Sequence, residues 1–189
     1  AQRFAVRLVG DASLSRRPLA RLLRKPPVPV LPNAIDLQRF SGNESGRDAV
    51  RAELGFAQDS FVVGAIGRLT AEKGLGNLLE VIAKVSARLP ALRLLVVGEG
   101  PLREQLQQQA GNLGLTPFIA FTGARSDVEH LLPALDVLVS SSLYEAMPTV
   151  IIEAMAAGIP VIATATMGAR ALIQPGIDGW LVPVDDASI

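Results

Sequence analysis

Six short apolar runs, at residues 61–66, 92–97, 118–121, 137–139, 161–163 and 180–182, alternate with helical patterns, and this alternation narrows the folds open to the chain. Strands separated by helices are the mark of βα units, whose parallel strands need a crossover of a dozen or more residues. The runs are nearly continuous in Val, Leu, Ile and Ala, as strands covered on both faces require. With 49% apolar but only 4% aromatic residues, the core is expected to be aliphatic. The expected class is α/β, an open parallel sheet with helices on both faces. Helices are expected near residues 75–88, 102–112, 127–134, 148–157 and 169–173. Residues 1–29 read as a remnant of a preceding domain with a linker, since Pro26, Pro27, Pro29 and Pro32 pin an extended connection. Residues 30–189 form the main domain.

Two carboxylates bracket one of these helices. Glu145 and Glu153 lie in SSSLYEAMPTVIIEAMAAGIPVIAT, between the runs at 137–140 and 161–163. Pro148 suits the first turn of a helix, and Gly158 with Pro160 ends it. Glu145 then falls in the loop leaving a strand's carboxyl end, where open parallel sheets bind ligands. A helix start there offers unpaired N–H groups to an anion, so a phosphate-bearing ligand is expected. Glu153 is flanked by Ile151, Ile152, Ala154 and Met155, which argues against a fully solvated side chain. Most glutamates in loops and helices are simply solvated, and the spacing alone leaves that alternative open.

Arg68 and Lys73 follow the first run, with Gly67 and Gly74 permitting close backbone approach. Two cations on one loop at a sheet's carboxyl edge suit a diphosphate, and a guanidinium can meet phosphate oxygens with two parallel bonds. A solvated pair of Lys73 with Glu72 is the plainer alternative. Gly98 and Gly100 invite a dinucleotide fingerprint, but Arg103 occupies the third glycine position and no acidic residue ends the next strand. They are better read as a tight turn, with Pro101 at the first helical position. His130 reads as a surface or packing residue.

The chain has no cysteine and one histidine, so thiolate metal sites and disulfides are excluded and no metal centre is expected. It has no apolar run of about 18 residues and no visible signal peptide. A cytoplasmic location is expected. Residues 1–25 hold seven basic side chains against Asp11 alone, leaving 11 basic and 17 acidic residues in the remainder. Such a basic end gains roughly 1 kcal/mol per charge near an anionic surface, which would suit peripheral contact with the inner face of a membrane. An ordinary solvated helix is the alternative. No nucleic-acid partner is expected.

The run from Glu145 resembles the signature of the retaining GT-B glycosyltransferases of group 1 (family 4), in which two glutamates separated by seven residues precede an Ala-Met-Ala-x-Gly segment. Five further segments match in order: VLPNAIDLQRF at 30–40, AIGRLTAEKG at 65–74, VGEGP at 97–101, FTGARSDV at 121–128 and GIDGWLVP at 176–183. The resemblance implies a Rossmann-like domain forming one half of a GT-B fold, residues 30–189 being a nucleotide-sugar-binding domain truncated at its carboxyl end. The donor would be a nucleoside diphosphate sugar of UDP or GDP type, with no other cofactor. By the resemblance, Arg68 and Lys73 bind the diphosphate and support it as leaving group, and Glu153 accepts hydrogen bonds from the ribose hydroxyls. Glu145 lends electrostatic support to an oxocarbenium-like centre. Thr122, Gly123 and Arg125 border the base, and Met147, Pro148 and Thr149 line the start of the helix beside the donor.

The implied enzyme is a retaining hexosyltransferase acting on a glycan or lipid-linked acceptor held by an amino-terminal domain, so this chain alone is expected to be inactive. A sugar-nucleotide epimerase of the same architecture and a non-catalytic binding or interaction module are the rivals. Four departures bear on the sugar pocket: Ala146 and Ala34 where glycine is frequent, Met167 for the first of two glycines, and Ala171 where glutamate is common.

Overall fold

The structure is a computed structural model that describes residues 33–40 and 46–184. The basic segment, the prolines at 26–32 and the domain boundary expected at residue 29 lie outside the described residues. In chain order the elements are α1 (Leu37–Phe40), α2 (Arg47–Glu53), β1 (Phe61–Ile66), α3 (Leu75–Ser86), β2 (Leu92–Val97), α4 (Arg103–Asn112), β3 (Ile119–Gly123), α5 (Val128–Leu131), β4 (Val137–Ser140), α6 (Thr149–Ala156), β5 (Val161–Thr164), α7 (Met167–Leu172) and β6 (Gly179–Val182). Short 3-10 turns at Ala71–Lys73, Thr116–Phe118 and Leu132–Ala134 supplement them.

All six strands are parallel, in the order β3-β2-β1-β4-β5-β6. From β1 the chain winds outward to β2 and β3, then returns to place β4 on the other side of β1. The pairing of Val63 with Val137 and Gly64 with Leu138 closes that return. The sheet therefore has a switch point between β1 and β4, where loops leaving the two strands diverge and a crevice forms at their carboxyl ends.

The strands from β1 to β5 alternate their side chains between two aliphatic cores. One holds Val62, Leu95, Leu138 and Val161 with Ile151 and Ala154 of α6 and Leu131 of α5. The other holds Val63, Leu94 and Val96 with Leu78, Leu79 and Ile82 of α3 and Leu106 of α4. Gly64 has no side chain because Leu135 fills the space a Cβ would need.

Several boundaries differ from expectation for local reasons. Pro117 places Thr116–Phe118 in a 3-10 turn, so β3 begins at Ile119. Pro133 breaks the helix expected over 127–134 into α5 and a following 3-10 turn. Helix α4 starts at Arg103, so Pro101 stands in the turn before it. Helix α7 begins two residues earlier than expected because the Thr166 side chain accepts a hydrogen bond from the Ala169 N–H and caps it. Among the described residues, no helix is long and apolar enough to cross a membrane.

Candidate functional site

Every residue assigned to the site stands at or beyond the carboxyl end of a strand. Arg68 and Lys73 follow β1, Thr122, Gly123 and Arg125 end or follow β3, and Glu145 through Thr149 bridge β4 and α6. The β1 and β2 exits are pressed together. Gly98 has φ 141 and donates its N–H to the Gly123 carbonyl, and a Cβ there would run into the Gly67 carbonyl. Glycine is required at that crossing.

Between β1 and β4 lies a narrow crevice lined by Gly67, Arg68, Lys73, Ser140, Ser141 and Val150, among others. Its two walls are stitched by backbone. The Leu143 N–H donates to the Glu72 carbonyl at 2.8 Å, and the Ser141 hydroxyl donates to the Lys73 carbonyl at 2.8 Å. Gly74, at φ 60, lies so close to the Ser141 carbonyl that no side chain fits.

Across these walls Lys73 Nζ donates to Glu145 Oε2, and the Ser142 hydroxyl lies 3.4 Å from the same oxygen. Both members of the ion pair are largely shielded, with side chains 22% and 19% exposed. Lys73 thus pairs across the crevice with Glu145 and leaves Glu72 to Arg68, which meets it at 3.3 Å with its side chain 76% exposed. The Glu145 backbone is fixed as well, because the Gly168 N–H donates to its carbonyl at 2.9 Å. A Cβ on Gly168 would crowd Pro148 and the Ala146 carbonyl. The second glycine of that loop is therefore needed, whereas Met167 in the first position is accommodated at 42% exposure.

Glu153 sits mid-way along α6, half-buried. Burial raises its carboxyl above the usual glutamate range, and the negative charge of Glu129 adds to this, while the positive charge of Arg39 works against it. Arg39 organises this corner. Its guanidinium donates to the Ser126 carbonyl at 3.0 Å and pairs with Glu129 at 2.9 Å. It therefore links α1 to the loop after β3 and stands within electrostatic reach of Glu153. The Asn33 N–H also meets Met147 Sδ at 3.0 Å, tying the start of the described chain to the loop before α6. Helix α6 itself starts at Thr149, with Pro148 as its cap residue.

Arg125 is differently placed from a free cation. Its guanidinium makes a two-point pair with Asp127 at 2.8 and 2.7 Å and a third bond to Glu53 at 2.6 Å. The Asp127 carboxyl is held down at about 2, chiefly by the hydrogen bond from Arg125. The arginine braces the β3 exit loop against α2, and the Glu99 and Arg103 side chains lie against Gly123 on the other side of that edge. Arg39, Ser141, Ser142 and Gly168 were not singled out in the sequence as site residues. Arg39 lies in the matched segment at 30–40, and the serine run precedes Glu145, so both carried a usable signal.

A larger apolar groove lies on the sheet face beside α3, where Phe61, Leu89, Leu143 and Trp180 stand exposed. Its lining is almost wholly hydrocarbon, and the cations of the crevice are not part of it. Among the described residues, no group of three or more His, Cys, Asp or Glu is arranged to hold a metal ion.

The parallel sheet with its switch-point crevice and charged loops defines an α/β domain of Rossmann-like class. Residues 46–188 match the family model of the group 1 glycosyl transferases. The chain belongs to that family. It is 34% identical over 151 residues to the lipopolysaccharide core biosynthesis glycosyltransferase LpsE of Rhizobium meliloti, covering 80% of this chain and 43% of that protein. It is 30% identical over 162 residues to the UDP-Gal:alpha-D-GlcNAc-diphosphoundecaprenol alpha-1,3-galactosyltransferase of Escherichia coli, covering 84% of this chain and 42% of that protein. Among solved structures it is similar to Anabaena HepE in complex with UDP, with a TM-score of 0.80, 30% identity, and coverage of 93% of this chain and 49% of that one. HepE has also been solved with UDP and glucose. The chain spans less than half the length of each of these proteins.

Proposed function

We propose that this chain is the donor-binding half of a retaining glycosyltransferase of family 4, transferring a hexose from a nucleoside diphosphate sugar to a glycan or lipid-linked acceptor. The observation that carries the reading is the pairing of Lys73 with Glu145 at the β1–β4 switch point, with Arg68 on the same exit loop, in a fold whose relative HepE is bound to UDP. Arg68 and Lys73 are the only described cations on the β1 exit loop, and a diphosphate needs such charge both to bind and to leave. Glu153, half-buried at the next helix, accepts hydrogen bonds from the ribose. Thr122 and Gly123 offer backbone groups to the base, and Arg125 shapes that loop. The start of α6, with Met147, Pro148 and Thr149, flanks the phosphates. Glu145 stabilises positive charge developing at the sugar carbon, and with departure and attack on one face the configuration is retained.

Residues 1–29 belong, in this reading, to a preceding α/β domain and its linker, and that domain holds the acceptor. The 189 residues then bind donor without transferring sugar, because alignment of two reactants supplies about 7–11 kcal/mol of barrier reduction and half a cleft cannot align them. The protein acts in the cytoplasm, with its basic segment facing an anionic membrane. Calorimetric titration with UDP, GDP, their sugars and the bare nucleosides tests the reading. Binding of one diphosphate with much weaker binding of its nucleoside is expected, and failure of every nucleotide to bind overturns it.

A further inference from the structure

The Lys73–Glu145 ion pair occupies the two side chains on which the proposed reaction most depends, and the loops carrying them are joined independently of it. The bonds from Leu143 N–H to Glu72 and from Ser141 to the Lys73 carbonyl use only backbone groups and one hydroxyl. The side chains can therefore part without the walls of the crevice parting. Each is about one-fifth exposed, so neither is readily left without a partner. Arg68, three-quarters exposed on the same loop, is the first cation an arriving anion meets.

We propose that Glu145 is an internal competitor of the donor diphosphate for Lys73, so that donor binding proceeds by exchange of ion-pair partners. This rests on the nucleotide-binding reading above. A phosphate oxygen takes over the ammonium, and the Glu145 carboxylate, released from the cation and kept in place by the Ser142 hydroxyl, regains its full charge. One event then puts positive charge on the leaving group and bares negative charge for the sugar carbon. Without donor the two charges cancel each other. On departure of the diphosphate the pair re-forms and assists its release.

The exchange separates from simple repulsion in a double-mutant cycle read by calorimetry, using UDP with GDP in parallel, and uridine and guanosine as controls. Glu145→Gln is expected to bind the diphosphate about three- to tenfold more tightly than the unaltered chain, as release of a partly shielded ion pair allows. In a Lys73→Met background the same Glu145→Gln change should alter affinity less than about twofold, and the nucleosides should be unaffected throughout. Thermal unfolding of all four proteins confirms that each is folded, with Lys73→Ala as the substitute should the methionine variant fail. Equal tightening in both backgrounds would mean that Glu145 merely repels phosphate, and unchanged or weaker binding by Glu145→Gln would mean that no competition exists; either overturns the exchange while leaving the nucleotide site intact. Absence of diphosphate binding in every protein overturns the nucleotide reading itself, and the exchange with it.

Discussion

Arg51 and Asp136 meet 2.7 Å apart at the amino-terminal edge of the sheet, with the arginine side chain wholly excluded from solvent. The same guanidinium donates to the carbonyls of Ala134, Gln58 and Ser60. Burial works to raise the Asp136 carboxyl, but hydrogen bonds from the Val62 N–H, Arg47 and Arg51 outweigh it, and the group titrates below the usual aspartate range. This knot joins α2, β1 and β4 at the edge opposite the crevice, and so fixes the two strands between which the crevice opens. Arg51→Met is expected to lower unfolding free energy by about 3–5 kcal/mol, because three carbonyls lose their donor and the Asp136 carboxylate loses one of its three, keeping Val62 N–H and Arg47. Urea unfolding measures it, and a loss below about 1 kcal/mol would show that the knot is dispensable.

At the β3 exit, Arg125→Ala should let the Asp127 carboxyl rise from about 2 toward its ordinary 3.8. A depressed carboxylate contributes stability that is present above its unfolded value and is lost as pH falls through the folded one. The stability gap between parent and variant should therefore shrink as pH is lowered from about 4 to about 2, modestly, since the Asp127 side chain is 37% exposed. NMR titration of the Asp127 carboxyl checks the assignment, and identical titration in both proteins would refute it.

For Glu153 the sign is reversed. Burial raises its folded value, so its contribution to stability improves as pH falls through that value, while the proposed ribose contact needs the ionised form and should weaken over the same range. Glu153→Ala should weaken nucleoside diphosphate binding by roughly 1.5–3 kcal/mol at neutral pH. The same variant should also lose the acid-side fall in affinity. Unchanged affinity in a folded variant would remove Glu153 from the site.

Arg68→Ala and Lys73→Ala should each cost far more for the diphosphate than for the nucleoside, since the lost partner is phosphate charge. Arg68, being the more exposed, should show the steeper dependence on added salt. Equal losses for nucleoside and diphosphate would contradict both assignments.

Much of the architecture was legible because its signals are local. The runs at 61–66 and 92–97 became β1 and β2 at the expected residues, and Gly158 ended α6 as read. The errors sit where distant residues decide. Helix α2 was not expected, since its anchors Arg47 and Arg51 bond to Asp136, 89 and 85 positions away, and leave no periodic mark. Adjacency suggested Glu72 as the plain partner for Lys73, but the 3-10 turn at Ala71–Lys73 turns the lysine across the crevice to Glu145, 72 positions on. Arg125 was read as bordering the base, and its charge is engaged both by the neighbouring Asp127 and by Glu53, 72 positions away, a contact that leaves no local mark.

The most direct test of the donor site is amide chemical-shift mapping of the labelled chain during titration with UDP and GDP. The account predicts that shifts concentrate at residues 67–74, 122–125 and 145–153, with the face around Phe61, Leu89 and Trp180 unmoved. Saturable shifts confined to that apolar face, with Lys73, Glu145 and Glu153 undisturbed, would contradict it.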